Sequence, residues 1–297
     1  MNISLLKFQI VELLAKHKKI TTVADALGLK QPTVTFHMKG LEQELGVRLF
    51  EVRSGKTQLT EAGHSLLHYA VKINALANEA ERIVKEFADL GRGTLNIGAS
   101  YVPATYVLPV VLSTFSKTYP KISISLSVKT APVIEELLVN HEIDMGVLST
   151  EPFHNHSLHA DAICEDELVM VYAANHPIGQ YADLNPGQLA RIPFVFHGEE
   201  SSTRRMTDKW AKNNGVSLNA QLELDSLEAI KQAVMLGDHI SFISKLAIRQ
   251  EVRQGSLSFS PIPRNTFTRF VYCATNVDRE PSSLLESFIY HIKKKSL

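Results

Sequence analysis

From Glu61 to Val102 the chain contains no proline, and in that stretch Leu66, Ile73, Ala80 and Phe87 recur every seven residues, with Tyr69, Leu76, Ile83 and Leu90 at the second apolar position of each heptad. An apolar repeat of this kind is the 3.5-residue period of a helix that packs along a partner helix. Thr60 reads as its N-cap and Glu61 as a first-turn acid, while Glu79, Glu81, Arg82, Lys85 and Glu86 decorate the other faces. The pattern predicts a helix over residues 60–90 that dimerises through Leu66, Tyr69, Ile73, Leu76, Ala80, Ile83 and Phe87. The competing reading is one amphipathic helix lying on its own chain. Either way the helix separates a small domain, residues 1–59, from a large one, residues 91–297.

The small domain reads as helical and then as a hairpin. Apolar residues are dense from Leu5 to Leu14, Thr21 and Thr22 are cap candidates for a short helix ending at Gly28, and Pro32 suits the first turn of a third helix from Gln31 to Glu44. At about 100° per residue, Val34, Met38, Leu41 and Leu45 share the inner face of that helix. The outer face carries Gln31, Pro32, Thr33, Thr35, Phe36, Lys39 and Gln43. An amide, hydroxyls, a cation and one aromatic suit a DNA groove better than a core, so the second and third helices read as a helix-turn-helix. Behind them, Gly46 to Thr60 reads as strand, basic turn and strand, a wing whose Arg53 and Lys56 can reach phosphates. Through residue 62 there are nine basic and six acidic residues, a local excess in a chain that is neutral overall at 31 against 31. A preference for nucleic acid is therefore confined to this end.

The run Gln31-Pro32-Thr33-Val34-Thr35, then Leu41-Glu42-Gln43-Glu44-Leu45-Gly46-Val47-Arg48-Leu49-Phe50-Glu51, then Leu59-Thr60-Glu61-Ala62-Gly63, resembles the winged helix-turn-helix of LysR-type transcriptional regulators. Phe36 stands where that family often has arginine, so no base preference carries over at this position. The resemblance implies an α+β multidomain chain: a winged helix-turn-helix, a long linker helix, and a two-lobed α/β effector domain of periplasmic-binding-protein type. It also implies double-stranded DNA as a partner, a homodimer or homotetramer, RNA polymerase as a further partner, and a small polar effector instead of a cofactor.

Behind Gly93, strands and helices alternate, which predicts an α/β architecture with mostly parallel sheets. Strands are expected near 94–99, 122–128, 145–148, 168–172, 194–196, 222–224, 240–243 and 270–274, and helices over 104–118, 133–139, 203–213, 227–236, 245–253 and 282–293. The resemblance implies lobe I at 91–162 and 267–297 and lobe II at 163–266, with crossings near Ala160 to Ile163 and Arg264 to Thr268. Ligands of open α/β sheets lie beyond the carboxyl ends of strands, against helix N-termini. Ser100, Tyr101 and Thr130 stand at such ends, and Ser202, Thr203 and Arg204 open a helix with hydroxyls and a cation that suit an anionic effector. Ser202 or Thr203 can equally be plain caps, and so can Asp225-Ser226.

Catalysis has no candidate motif: no nucleophile elbow, P-loop or dinucleotide fingerprint occurs. His154, His156 and His159 are clustered but lack cysteine or carboxylate at metal spacing, so they read as solvent-exposed and no metal is expected. Cys164 and Cys273 lie far apart and read as packed thiols of a reducing compartment. With no secretion signal and no apolar run near the roughly 20 residues that span a bilayer, the chain is expected to be cytoplasmic and not membrane-bound.

Overall fold

The computed structural model describes residues 3–53, 55–88, 93–152, 155–181 and 183–295, with side chains at 85–88 and 295 outside the description. The chain divides into two compact units, essentially residues 1–90 and residues 91–297.

The first unit runs α1 (Leu5–His17), α2 (Ile20–Leu27), α3 (Gln31–Leu45), β1 (Phe50–Arg53), β2 (Lys56–Leu59) and α4 (Glu61–Ala88). Val34 and Met38 of α3 are buried against Ile10, Leu14, Val23 and Ala24, while Leu41 packs with Val11, Leu49 and Leu59. Thr21 and Thr22 are not caps. The link from α1 is so short that the chain re-enters helix at Ile20, behind Lys19, with no side-chain cap. The motif residues have geometric reasons. Glu42 accepts hydrogen bonds from the backbone N–H of Leu49 (2.8 Å) and Phe50 (3.1 Å), which fixes the entry to β1. Thr60 caps α4, its Oγ1 accepting from Gly63 N at 3.1 Å and donating to Arg48 O at 2.8 Å. A Cβ at residue 63 would lie 2.2 Å from Leu49 O, so α4 approaches the wing this closely only with glycine there.

One face of α4 serves its own unit: Ala70 is fully buried, Leu66 and Leu67 pack beside it, and buried Asn74 donates from Nδ2 to Glu12 at 2.6 Å. Leu66, expected in the dimer seam, is therefore partly consumed by the core around Val11 and Leu49.

The second unit contains two five-stranded sheets. Lobe I has the order β4 (Ile122–Val128), β3 (Gly93–Ala99), β5 (Met145–Thr150), β12 (Phe270–Asn276), β6 (Leu158–Glu165). Its helices are α5 (Tyr101–Tyr106), α6 (Leu108–Thr118), α7 (Ala131–Val139) and α12 (Ser283–Lys295). Lobe II has the order β11 (Leu257–Pro261), β7 (Leu168–Ala173), β10 (Ile240–Ser244), β8 (Pro193–His197), β9 (Asn219–Leu224). It carries α8 (Pro186–Leu189), α9 (Ser202–Asn213), α10 (Leu227–Met235) and α11 (Arg249–Gln254). Each lobe has its own core, Phe115, Phe288, Ile97 and Met145 in lobe I, and Trp210, Phe194 and Phe242 in lobe II.

Three expectations are corrected. The sheets are mixed, not mostly parallel, because β12 pairs antiparallel with β5 and β6, and β7 antiparallel with β10 and β11. The crossing expected at 160–163 is strand β6, which pairs with β12 through Glu165, so the chain leaves lobe I at Asp166 and Glu167. The single helix expected over 104–118 is α5 and α6, broken at Val107 ahead of Pro109, which cannot sit inside a continuous helix.

Candidate functional site

The exposed face of α3 carries Gln31, Pro32, Phe36 and Lys39, with Thr33 and Thr35 half-buried beside them. Phe36 is 72% exposed and makes an edge contact with its neighbour His37. Thr35 donates back to Gln31 O at 3.1 Å, so its hydroxyl proton is taken by the helix. On the wing, Arg53 and Lys56 are cross-strand neighbours, both exposed, and Arg53 pairs with Glu51 at 2.8 Å. An exposed pair of this kind is worth little and exchanges readily for a phosphate. On α4, Tyr69, Ile73, Leu76 and Ala80 are exposed and Ile83 is half-buried, an apolar stripe opposite the face that packs on α1. Phe87 lies outside the described side chains, and His154 outside the described residues.

In the second unit, a cavity of about 260 Å³ opens at the carboxyl ends of β3, β4, β8 and β9. Ser100, Tyr101, Thr130, Ser202 and Thr203 line it, together with Lys129, His197, Ser201, Asp225 and Arg269. Thus five of the expected effector residues meet in one place. Neither Ser202 nor Thr203 is a helix cap: Ser201 caps α9, its side chain accepting from Thr203 N. This frees the two following hydroxyls, and Ser202 donates across the lobes to Ser149 O at 3.1 Å. Ser100 Oγ accepts from Ser149 N at 2.9 Å. Thr130 Oγ1 is buried and has no hydrogen-bond partner among the described residues.

Arg204 does not reach this cavity. Its guanidinium stacks over Phe196 at 4.5 Å and bonds Glu223 (2.7 Å), Asp208 (3.0 Å) and His197 O (3.2 Å) on the outside of lobe II. Its neighbours on α9 and β9 supply the acids that hold it there.

The cavity's buried cation is Arg269, which sequence reasoning missed. It is 4% exposed, with Nη2 at 2.8 Å from Asp166, Nε at 3.2 Å from Ser149 Oγ and Nη1 at 2.8 Å from Thr203 Oγ1. Asp166 is fully buried and also accepts from the hydroxyls of Ser149 in lobe I and Ser244 in lobe II. The two crossing segments are therefore locked to each other and to both lobes. The available signal was an arginine entering the apolar strand Phe270–Asn276 and an acid at the other crossing. A second bridge joins the lobes at Tyr106, whose hydroxyl donates to Glu228 at 2.7 Å and accepts from Lys231 at 3.2 Å; burial pushes its pKa up to about 12.

His197 Nε2 lies 3.0 Å from Phe242 O, and a carbonyl only accepts, so this nitrogen carries the proton. Burial pulls the ring's pKa down to about 4 and keeps it neutral. Burial also pushes the Cys273 thiol up to about 12 and raises Cys164, which leaves both thiols protonated. No helix among the described residues is long and apolar enough to cross a membrane.

Residues 5–64 match the family model "Bacterial regulatory helix-turn-helix protein, lysR family", and residues 88–296 match "LysR substrate binding domain". A probable RuBisCO transcriptional regulator of Porphyra purpurea is 31% identical, over 96% of this chain and 92% of the relative. Among solved structures, CbnR, a LysR family transcriptional regulator, aligns over 100% of both chains with a TM-score of 0.67 and 21% identity. The Synechocystis PCC6803 CcmR regulatory domain in complex with 2-PG aligns with a TM-score of 0.63 and 25% identity, covering 68% of this chain and 97% of that one.

Proposed function

Because this chain belongs to the LysR family of DNA-binding transcriptional regulators, we propose that it is a cytoplasmic homo-oligomer without catalytic activity or cofactor, whose DNA binding is set by a small acid held at Ser100, Thr130, Ser202, Thr203 and Arg269. The observation that carries this reading is the convergence of hydroxyls in one cavity, with Thr130 Oγ1 left unpartnered by folding. A buried hydroxyl without a partner costs about 1–3 kcal/mol, a cost that a bound acceptor removes. The N-termini of α7 and α9 open onto the same space and offer N–H donors to an anion. The CcmR domain's complex with 2-PG supports a small ligand in this kind of domain.

DNA is read by the outer face of α3 and contacted at phosphates by Lys39, Arg53 and Lys56. Two copies pair through Tyr69, Ile73, Leu76 and Ala80, since one small reading head buries little DNA surface and a two-fold pair reads two half-sites. The energy of regulation is the acid's differential affinity for the two functional states.

The test is a screen of small carboxylic, sulfonic and phosphoric acids against the full chain by thermal shift and DNA mobility. An effector at about a hundred times its Kd stabilises the folded state by about 2.7 kcal/mol, or about 5–10 °C for a domain of this size, and changes DNA affinity. Ser100→Ala and Thr203→Ala are expected to weaken the response. Acids that neither stabilise the chain nor alter its DNA affinity overturn the reading.

A further inference from the structure

The charges around the cleft narrow the class of acid, on the reading of the cleft proposed above. Arg269 is its largest cation, yet the guanidinium is already matched by Asp166 at 2.8 Å and by the hydroxyls of Ser149 and Thr203. A third charge nearby meets an almost neutral pair. The other charged lining residues are Lys129 and Asp225, one of each sign; Lys129 donates its backbone N–H to Ala99 O at 3.1 Å, and neither side chain makes a hydrogen bond or ion pair among the described residues. The cleft therefore accommodates one negative group at its donors, and a second one would face the Asp225 carboxylate.

The lobe II wall at the ends of β8 and β9 presents acceptors. His197 spends its N–H on Phe242 O, which leaves Nδ1 as a lone-pair acceptor in the neutral ring. Asp225 is not used as a helix cap, because Ser226 takes that role, accepting from Ala229 N at 3.4 Å. The carboxylate instead rests on Gly198, where a Cβ would come within 1.9 Å of Asp225 Oδ1. Any side chain at 198 would displace it. The cleft thus holds donors at Thr130, Ser100 and the N-termini of α7 and α9, and acceptors at His197 and Asp225.

We infer that the cleft takes a small acid that also carries a hydrogen-bond donor, a hydroxyl or an ammonium, and that Asp225 is the residue that selects for that donor. The anionic group lies at the helix N-termini and the donor lies toward Asp225. A plain anion of the same size leaves the Asp225 carboxylate unmatched and is repelled by it.

The experiment is calorimetric titration of the full chain with two matched series: propionate, lactate and alanine; and ethyl phosphate, 2-hydroxyethyl phosphate and phosphoethanolamine. In at least one series a donor-bearing member is expected to bind about tenfold or more tighter than the donor-free member, the size of one hydrogen bond to a charged group. Asp225→Asn should collapse that ratio from both sides, weakening the donor-bearing acid and strengthening the plain one, and Asp225→Glu should restore part of it. Thermal unfolding of each variant shows whether Asp225 merely stabilises the start of α10; a lowered melting temperature with an unchanged ratio overturns the inference. If donor-bearing and donor-free acids bind the wild-type chain alike, the acid-binding cleft stands and the selection by Asp225 falls. If no member of either series binds, the cleft reading falls with it.

Discussion

Phe36 and Arg269 are both large side chains assigned to recognition, yet one is 72% exposed on α3 and the other 4% exposed between two lobes. The same contrast runs through the two units. In the first, recognition groups stand outside an apolar core, and on the function proposed above the surfaces they form are finished by another molecule: DNA on α3 and the wing, a second copy on α4. In the second, recognition groups are part of the interior and are held by each other. Substitutions in the first unit should therefore change binding at nearly constant stability, whereas those in the second should change both.

The sharpest way to break this comparison is Asp166→Ala. Removing one partner of a buried ion pair costs about 3–5 kcal/mol, because Arg269 is left charged and unpaired. The second unit should melt about 10 °C or more lower, with the first unit unaffected. An Asp166→Ala chain of wild-type stability contradicts the contrast.

A pH series tests the same interior. The His197 pKa is depressed to about 4 in the folded chain by burial, against about 6.5 when unfolded. Between those values the unfolded state binds the extra proton, so stability is fully present above about pH 6.5 and falls by about 3 kcal/mol as pH drops to 4. His197→Gln should flatten the unfolding free energy across that window relative to wild type. An equal slope in both chains removes His197 from the account.

On the outward side, Leu76→Glu sets carboxylates into the centre of the exposed stripe on α4. Desolvating them without a partner should weaken the dimer by roughly a hundredfold, or about 2–3 kcal/mol, read by sedimentation. The melting of the first unit should not change. A smaller effect is expected for Phe36→Ala, about tenfold in specific DNA affinity if its ring contacts a base edge such as a thymine methyl, again at constant melting temperature. A large loss of stability would place Phe36 in the core.

The contrast also explains what could be read from the sequence. The inner face of α3, with Val34, Met38 and Leu41, follows from a 3.6-residue period, and the exposed stripe of α4 from a heptad. Both are local patterns; among the described side chains Leu66 departs from the exposed stripe, because it lies where the seam and the core around Val11 overlap. The cleft was half legible. Ser100, Thr130, Ser202 and Thr203 sit at strand ends and a helix start, which periodicity marks. Arg269, Asp166 and His197 do not, since each acquires its role from partners distant in the chain: Arg269 from Asp166, His197 from Phe242. Arg204 was misplaced for the complementary reason, because Glu223 and Asp208 outcompete the cleft for it. The crossing near Ala160 to Ile163 came from the resemblance alone, and no continuous apolar run marked this segment as strand, since β6 lies at the edge of its sheet with uneven burial.

The central claim is that folding leaves polar groups in the cleft unsatisfied until an acid fills it, and Thr130→Val tests it most directly in one thermal-shift titration. Valine keeps the shape and removes the unpartnered Oγ1. The account predicts that the ligand-free variant melts about 2–4 °C higher than wild type, as relief of about 1 kcal/mol would give, while its shift on adding the effector acid shrinks or disappears. A variant that melts lower than wild type, or that responds to the acid with undiminished affinity, would contradict the account.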